Sequence, residues 1–166
     1  LFRLYRNKKE CLGKGHPYRK KTELARELVD ILVTWSGDRR IHLAVDSAYC
    51  NDTLMRGLPP AVVVFGAIRP DAVLTALPVE GGRRRVGRRR VRGKVLPKPA
   101  ALAKSEHHPW KRCQAELYGR RRTVSYKMLD AQWYRACGAD LVRVVVVKSL
   151  RGAIPYRVFL CRDISL

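Results

Sequence analysis

Two hydrophobic spacings alternate along the first half of the chain. From Thr22 to Ser36, polar Glu23, Arg26, Glu27, Asp30 and Thr34 form one stripe, and Leu24, Leu28, Ile31, Leu32 and Trp35 form another, the period of an amphipathic helix. Thr22 is placed to cap its start, Arg26 and Asp30 are spaced for an i,i+4 pair, and Ser36-Gly37-Asp38 supplies the stop. Ile41 to Asp46 then alternates as a strand does, with Ile41, Leu43 and Val45 on one face and His42, Ala44 and Asp46 on the other. Asn51-Asp52-Thr53 predicts a short helix to about Leu58, broken by Pro59-Pro60. The continuous apolar run from Ala61 to Ile68 predicts a strand buried on both faces. Upstream, LFRLYR at residues 1–6 reads as a short strand, and the basic stretch from there to Lys21 reads as an exposed loop. Helix, strand, helix, strand in that order implies right-handed crossovers and a largely parallel sheet.

The pattern changes after Ile68. Asp71 to Leu77 reads as a short helix, and residues 83–98, RRRVGRRRVRGKVLPK, as a flexible loop with nine basic residues, no acid and too little apolar surface to pack. In the last third, QAELY, a turn at Gly119-Arg120 and RTVSYKML predict a hairpin, and LVRVVVV and YRVFLC two further strands. The chain divides accordingly into 1–78, an α/β portion, 79–109, a basic linker, and 110–166, a β-rich region. It carries no internal repeat and no heptads.

Charge narrows the function classes. Among 166 residues, 35 Lys and Arg face 14 Asp and Glu, a net charge of +21, which suits a polyanionic partner and makes nucleic acid the leading class. Outside residues 83–98, 26 basic residues still face the 14 acids, so the positive field is not confined to one segment. No apolar run is long enough to span a bilayer and no basic amphipathic helix is present, which disfavours a membrane partner. Cys11, Cys50, Cys113, Cys137 and Cys161 are scattered, without a CxxC pair or a dense disulfide pattern, as expected of a reduced, intracellular setting. The chain starts at Leu1 inside an expected strand and ends without a closing element, and is expected to be part of a longer protein.

Asp46 is the carboxylate with most chemical interest, because ligands of open α/β sheets bind beyond the carboxyl ends of the strands. The same position suits an Asp that only ends a strand in a turn, and spacing does not decide between the two. His42 shares its face but lies about 13 Å back along the strand, so it reads as a packing residue. His107-His108-Pro109-Trp110 lacks zinc-ligand spacing and reads as a loop. Cys50 has no His near it in sequence and reads as a packing thiol, and no phosphate-binding GxxxxGK[ST] loop occurs. Arg83, Arg84, Arg85, Arg88, Arg89, Arg90 and Arg92, with Arg120, Arg121 and Arg122, read as phosphate contacts, since charge so concentrated repels itself unless a polyanion compensates it.

Taken together, RLYRNKK, PYRKKTELARELVDIL, the strand ending VDSAYC, LPPAVVVFGAIRPDAVLTALP, the basic insert, and YGRRRTVSYKMLDAQWY before VVVVKS resemble an insertion-sequence transposase of the DDE superfamily over nearly the whole chain. The resemblance implies an α/β fold with a ribonuclease H-like mixed sheet and flanking helices, followed by a β-rich insertion and incomplete at both ends. It also implies metal-dependent DNA cleavage and strand transfer by three acids that bind two divalent ions, Mg²⁺ or Mn²⁺ in its place. Asp46 matches the second acid, before a turn containing Tyr49. The first acid is expected upstream of Leu1. The third, a helix-borne Glu, is expected beyond the present end, because nothing from Glu80 to Asp163 shows its pattern. Implied partners are transposon-end and target DNA and a second copy of the protein, in a prokaryotic, cytoplasmic and nucleoid-associated setting. One carboxylate cannot hold two metals, so these 166 residues alone are expected to bind DNA without cutting it. The contrasting reading is a non-catalytic nucleic-acid-binding module in which Asp46 merely ends a strand.

Overall fold

A computed structural model describes residues 1–79, 90–117, 119–149 and 153–165. Residues 1–6 form no strand and are exposed, and the first element is α1, Lys8–Gly13, inside the stretch expected to be a loop. Asn7 accounts for it: its side-chain oxygen accepts the Glu10 amide at 2.8 Å, and the helix seats Cys11 in the interior.

Helix α2, Lys21–Ser36, begins one residue before the expected cap. Thr22 therefore lies inside the first turn, and the start is closed by Glu23, whose carboxylate accepts the Lys20 amide at 2.8 Å. The Arg26–Asp30 pair forms as the spacing predicts, at 2.9 Å. The buried face is not the expected one. Ala25, Val29 and Val33 turn inward, while Leu32 and Trp35 are exposed, Trp35 by 68%. The close approach of α2 to α3 favours the smaller side chains over the larger apolar stripe.

Strand β1, Ile41–Val45, is followed by α3, Asp52–Met55, and β2, Val62–Ala67. Asn51 caps α3 as expected, but the helix stops at Met55 rather than near Leu58. β1 and β2 pair in parallel, Ile41 opposite Val62 and Val45 opposite Gly66. After them come α4, Pro99–Lys104, β3, Lys111–Leu117, β4, Arg120–Gln132, α5, Tyr134–Cys137, β5, Leu141–Lys148, and β6, Tyr156–Cys161. The expected hairpin is β3 and β4. All six strands form one sheet in the order β1-β2-β6-β5-β4-β3, and every pair except β1–β2 is antiparallel. The expectation of a largely parallel sheet is thus corrected. Strands joined by short connections must run antiparallel, and β6 returns beside β2 with Phe65 opposite Cys161.

Two further expectations change. Residues 71–77 are not a helix: Thr75 exchanges both backbone hydrogen bonds with Gln132, at 3.0 and 2.7 Å, so the segment lies along the end of β4. The end of the basic stretch packs as well, because the Gly93 amide donates to the Ala76 carbonyl and the Ala76 amide to that of Lys94. Gly93 suits this position because a β-carbon there would overlap the Leu77 carbonyl oxygen. Within the expected linker, α4 buries Pro99, Leu102 and Ala103.

The core lies on one face of the sheet. Val62, Val64, Val142, Val144, Val146, Val158 and Leu160 meet Val29 of α2, Leu54 and Met55 of α3, Leu102 of α4 and Ala136 of α5. The opposite face carries exposed His42, Ala44 and, just past β1, Asp46. Among the described residues, no helix is long and apolar enough to cross a membrane.

Candidate functional site

Asp46 follows β1 directly, and the chain turns at once, with the Tyr49 amide donating to the Asp46 carbonyl at 2.9 Å. The turn has its own supports: Asn51 donates its side-chain amide to the Ala48 carbonyl at 2.9 Å while its oxygen caps α3. The Asp46 carboxylate is exposed, and its Oδ1 accepts the Ser47 hydroxyl at 2.9 Å. That hydroxyl, followed by the backbone amides of Ala48 and Ser47, holds Asp46 below the usual carboxylate range. The turn therefore presents an exposed, ionised carboxylate at the carboxyl end of a strand.

Behind the turn, Cys50 is buried and its sulfur lies over Gly66. A β-carbon on Gly66 would overlap Cys50 Sγ and come within 2.7 Å of Val45 Cγ2, so the approach of the turn to β2 depends on glycine there. Burial, and then the Asp46 charge, push the Cys50 thiol up to about 11, which suits packing and not nucleophilic chemistry.

Among the described residues, no group of three or more His, Cys, Asp or Glu side chains could hold a metal ion. Asp46 is a hard oxygen donor of the kind Mg²⁺ or Mn²⁺ takes, but one carboxylate is not a complete ligand set. His42 packs edge-on against Phe65, ring centroids 5.7 Å apart, yet is exposed and not part of the core. His107 and His108 lie in a loop as expected, and His108 Nδ1 is 3.1 Å from the Ser105 hydroxyl. A cavity of about 300 Å³ opens at the other end of β1 and β2, lined by Arg40, Val62, Asp140, Arg162 and Asp163. Its charges are paired, Arg40 with Asp163 and Arg162 with Asp140.

Arg83, Arg84, Arg85, Arg88 and Arg89 lie outside the described residues. Arg90, Arg92, Arg120 and Arg121 are exposed, and Arg122 is partly buried. Arg92 lies over the Tyr134 ring at 5.0 Å, just beyond the end of β4, whereas Arg120 to Arg122 occupy its start. The length of β4 separates the two groups by about 40 Å, so they form two basic regions instead of one patch.

Three residues near the turn were not singled out in the sequence. Ser47 gives no signal beyond its polarity. Gly66 gives one, since a lone glycine inside an apolar strand marks a close approach. Arg56 gives none, although its guanidinium donates to the Tyr134 and Arg135 carbonyls at 3.1 Å and so ties α3 to α5. Compared with known proteins, the chain gives no significant match to a curated sequence or a solved structure. A family profile described as DDE superfamily endonuclease matches residues 5–134.

Proposed function

Because the chain belongs to the DDE superfamily endonuclease family, we propose that it serves metal-dependent DNA cleavage and strand transfer as the catalytic-core portion of an insertion-sequence transposase. The observation that carries this reading is Asp46, an exposed, ionised carboxylate at the carboxyl end of β1, inside the stretch that the family profile matches. In this reading Asp46 is one metal ligand, and the other two acids come from residues outside these 166. Asp46 would help to hold the divalent ions, Mg²⁺ or Mn²⁺, which when bound would supply activation of the attacking oxygen and stabilisation of the leaving oxygen of the phosphodiester. This chain supplies one carboxylate kept unprotonated by Ser47, together with cationic side chains that hold DNA. Arg90, Arg92, Arg120, Arg121 and Arg122 contact DNA, with Arg83, Arg84, Arg85, Arg88 and Arg89 of the basic stretch, and two copies act together on two DNA ends.

The test is Asp46→Ala in the intact enzyme. Metal-dependent cleavage falls by orders of magnitude while DNA binding stays near the unaltered level, and retained cleavage overturns the assignment. The lack of a group of three or more metal-ligating side chains among the described residues favours one competitor, a DNA-binding module without catalysis. That competitor predicts no metal-dependent cleavage by the intact protein, altered or unaltered.

A further inference from the structure

Strand β4 is longer than its inner neighbour can pair. Tyr126 to Gln132 pair with β5, but Arg120 to Ser125 pair only with β3, Leu117 opposite Arg120 and Arg112 opposite Ser125. A two-stranded ribbon about 20 Å long therefore extends past the sheet. Its turn includes Gly119 at φ 69°, a left-handed position that glycine occupies without strain.

The two faces of the ribbon differ. On one, Val124 is buried and Ala115, Leu117 and Arg122 are partly buried. On the other, Arg112, Gln114, Glu116, Arg121 and Thr123 are all exposed. Register places Gln114 opposite Thr123 and Glu116 opposite Arg121, and Gln114 Nε2 donates to Thr123 Oγ1 at 3.0 Å. An ordinary solvated sheet face accounts for polar residues there. It does not account for five cations, Lys111, Arg112, Arg120, Arg121 and Arg122, against the single carboxylate Glu116 on one narrow ribbon.

We propose that this ribbon enters the major groove of duplex DNA and that Arg112, Gln114 and Arg121 read base edges there. The major groove, about 12 Å wide, admits a two-stranded ribbon, and arginine and glutamine match the hydrogen-bonding edges of guanine and adenine. Glu116 has a use on the same face, since a carboxylate accepts from the cytosine amino group. Arg120 and Arg122, on the other face, reach toward phosphates. The inference rests on the reading that the protein acts on DNA, and adds a source of sequence preference remote from Asp46.

The test combines selection of preferred duplexes from a random pool with dimethyl sulfate protection of guanine N7 in the selected sequence. The unaltered protein enriches a sequence and protects a guanine. Arg112→Ala and Gln114→Ala each weaken that sequence about 5- to 150-fold and relax preference at one base position, and Arg112→Ala removes the guanine protection. Arg90→Ala weakens all sequences alike. Binding indifferent to sequence, or ribbon variants that weaken every sequence equally, overturn the role of the ribbon while cleavage through Asp46 still stands. Asp46→Ala that loses cleavage yet keeps the sequence preference supports two separate sites.

Discussion

The Asp46 turn gathers several roles into a few side chains. Ser47 donates to the carboxylate, Asn51 braces the turn and caps the next helix, and Gly66 makes room for Cys50 behind it. Since the folded value of Asp46 is depressed, its contact with Ser47 is fully present above the unfolded carboxylate value and is lost as pH falls through the folded one. Ser47→Ala removes the largest cause, so the Asp46 midpoint, followed by carboxyl-carbon NMR, moves upward toward the ordinary range. An unchanged midpoint contradicts the hydrogen bond. Gly66→Ala acts from the other side of the turn. Forcing a methyl against Cys50 and Val45 costs about 1 to 3 kcal/mol by urea unfolding. Cys50→Ala, which removes the sulfur from the overlap, restores part of that loss in the double variant.

At the level of elements, α4 depends on one buried cation. Lys127 of β4 is 3% exposed, and its ammonium donates to the carbonyls of Leu102, Ala103 and Ser105 at 3.0, 3.1 and 2.6 Å. It also lies over the Trp110 ring at 4.7 Å. The last carbonyls of a helix have no partners within it, and here a lysine from the sheet satisfies them. Lys127→Met keeps the stem but removes the donor from the Ala103 and Ser105 carbonyls, leaving Leu102 only the Ser105 amide, and is expected to destabilise the fold by about 2 to 4 kcal/mol in denaturant unfolding. A loss within about 0.5 kcal/mol shows the cap to be dispensable. The same contact shows what a local reading of sequence reaches. The spacing around Gly119 and Arg120 predicts the β3–β4 hairpin, and the apolar runs predict β1, β2, β5 and β6, because these patterns are short-range. Lys127 under α4, Thr75 against Gln132 and β6 beside β2 join residues far apart in the chain, and no local pattern encodes them. For α2, the stripe from Leu24 to Trp35 was the one legible in the sequence, and packing against α3 turns Ala25, Val29 and Val33 inward instead. Asp46 was legible from its place after a strand, whereas its hydrogen-bond support depends on the turn that follows.

Across the whole molecule, the question is how a charge of +21 is distributed over one DNA duplex. Arg92 lies near the end of β4, with Arg90 two residues before it in the chain, and Arg120 and Arg122 lie near the start of β4, about 40 Å away along the strand. That distance corresponds to about 12 base pairs of duplex at 3.4 Å per step. If both regions hold phosphates of one duplex, each neutralised phosphate contributes about −0.9 to the slope of log affinity against log salt. The double variant Arg90→Ala/Arg92→Ala then makes the slope shallower by about 2, as does Arg120→Ala/Arg122→Ala, and the four together by about 4. Distant contacts of this kind add independently on a duplex longer than the separation. On a duplex of about 8 base pairs only one region can be occupied at a time, so neither pair alone removes its full share. Titrations on short and long duplexes at several salt concentrations measure this directly, and equal slope changes on both lengths show that the two regions do not share one DNA molecule.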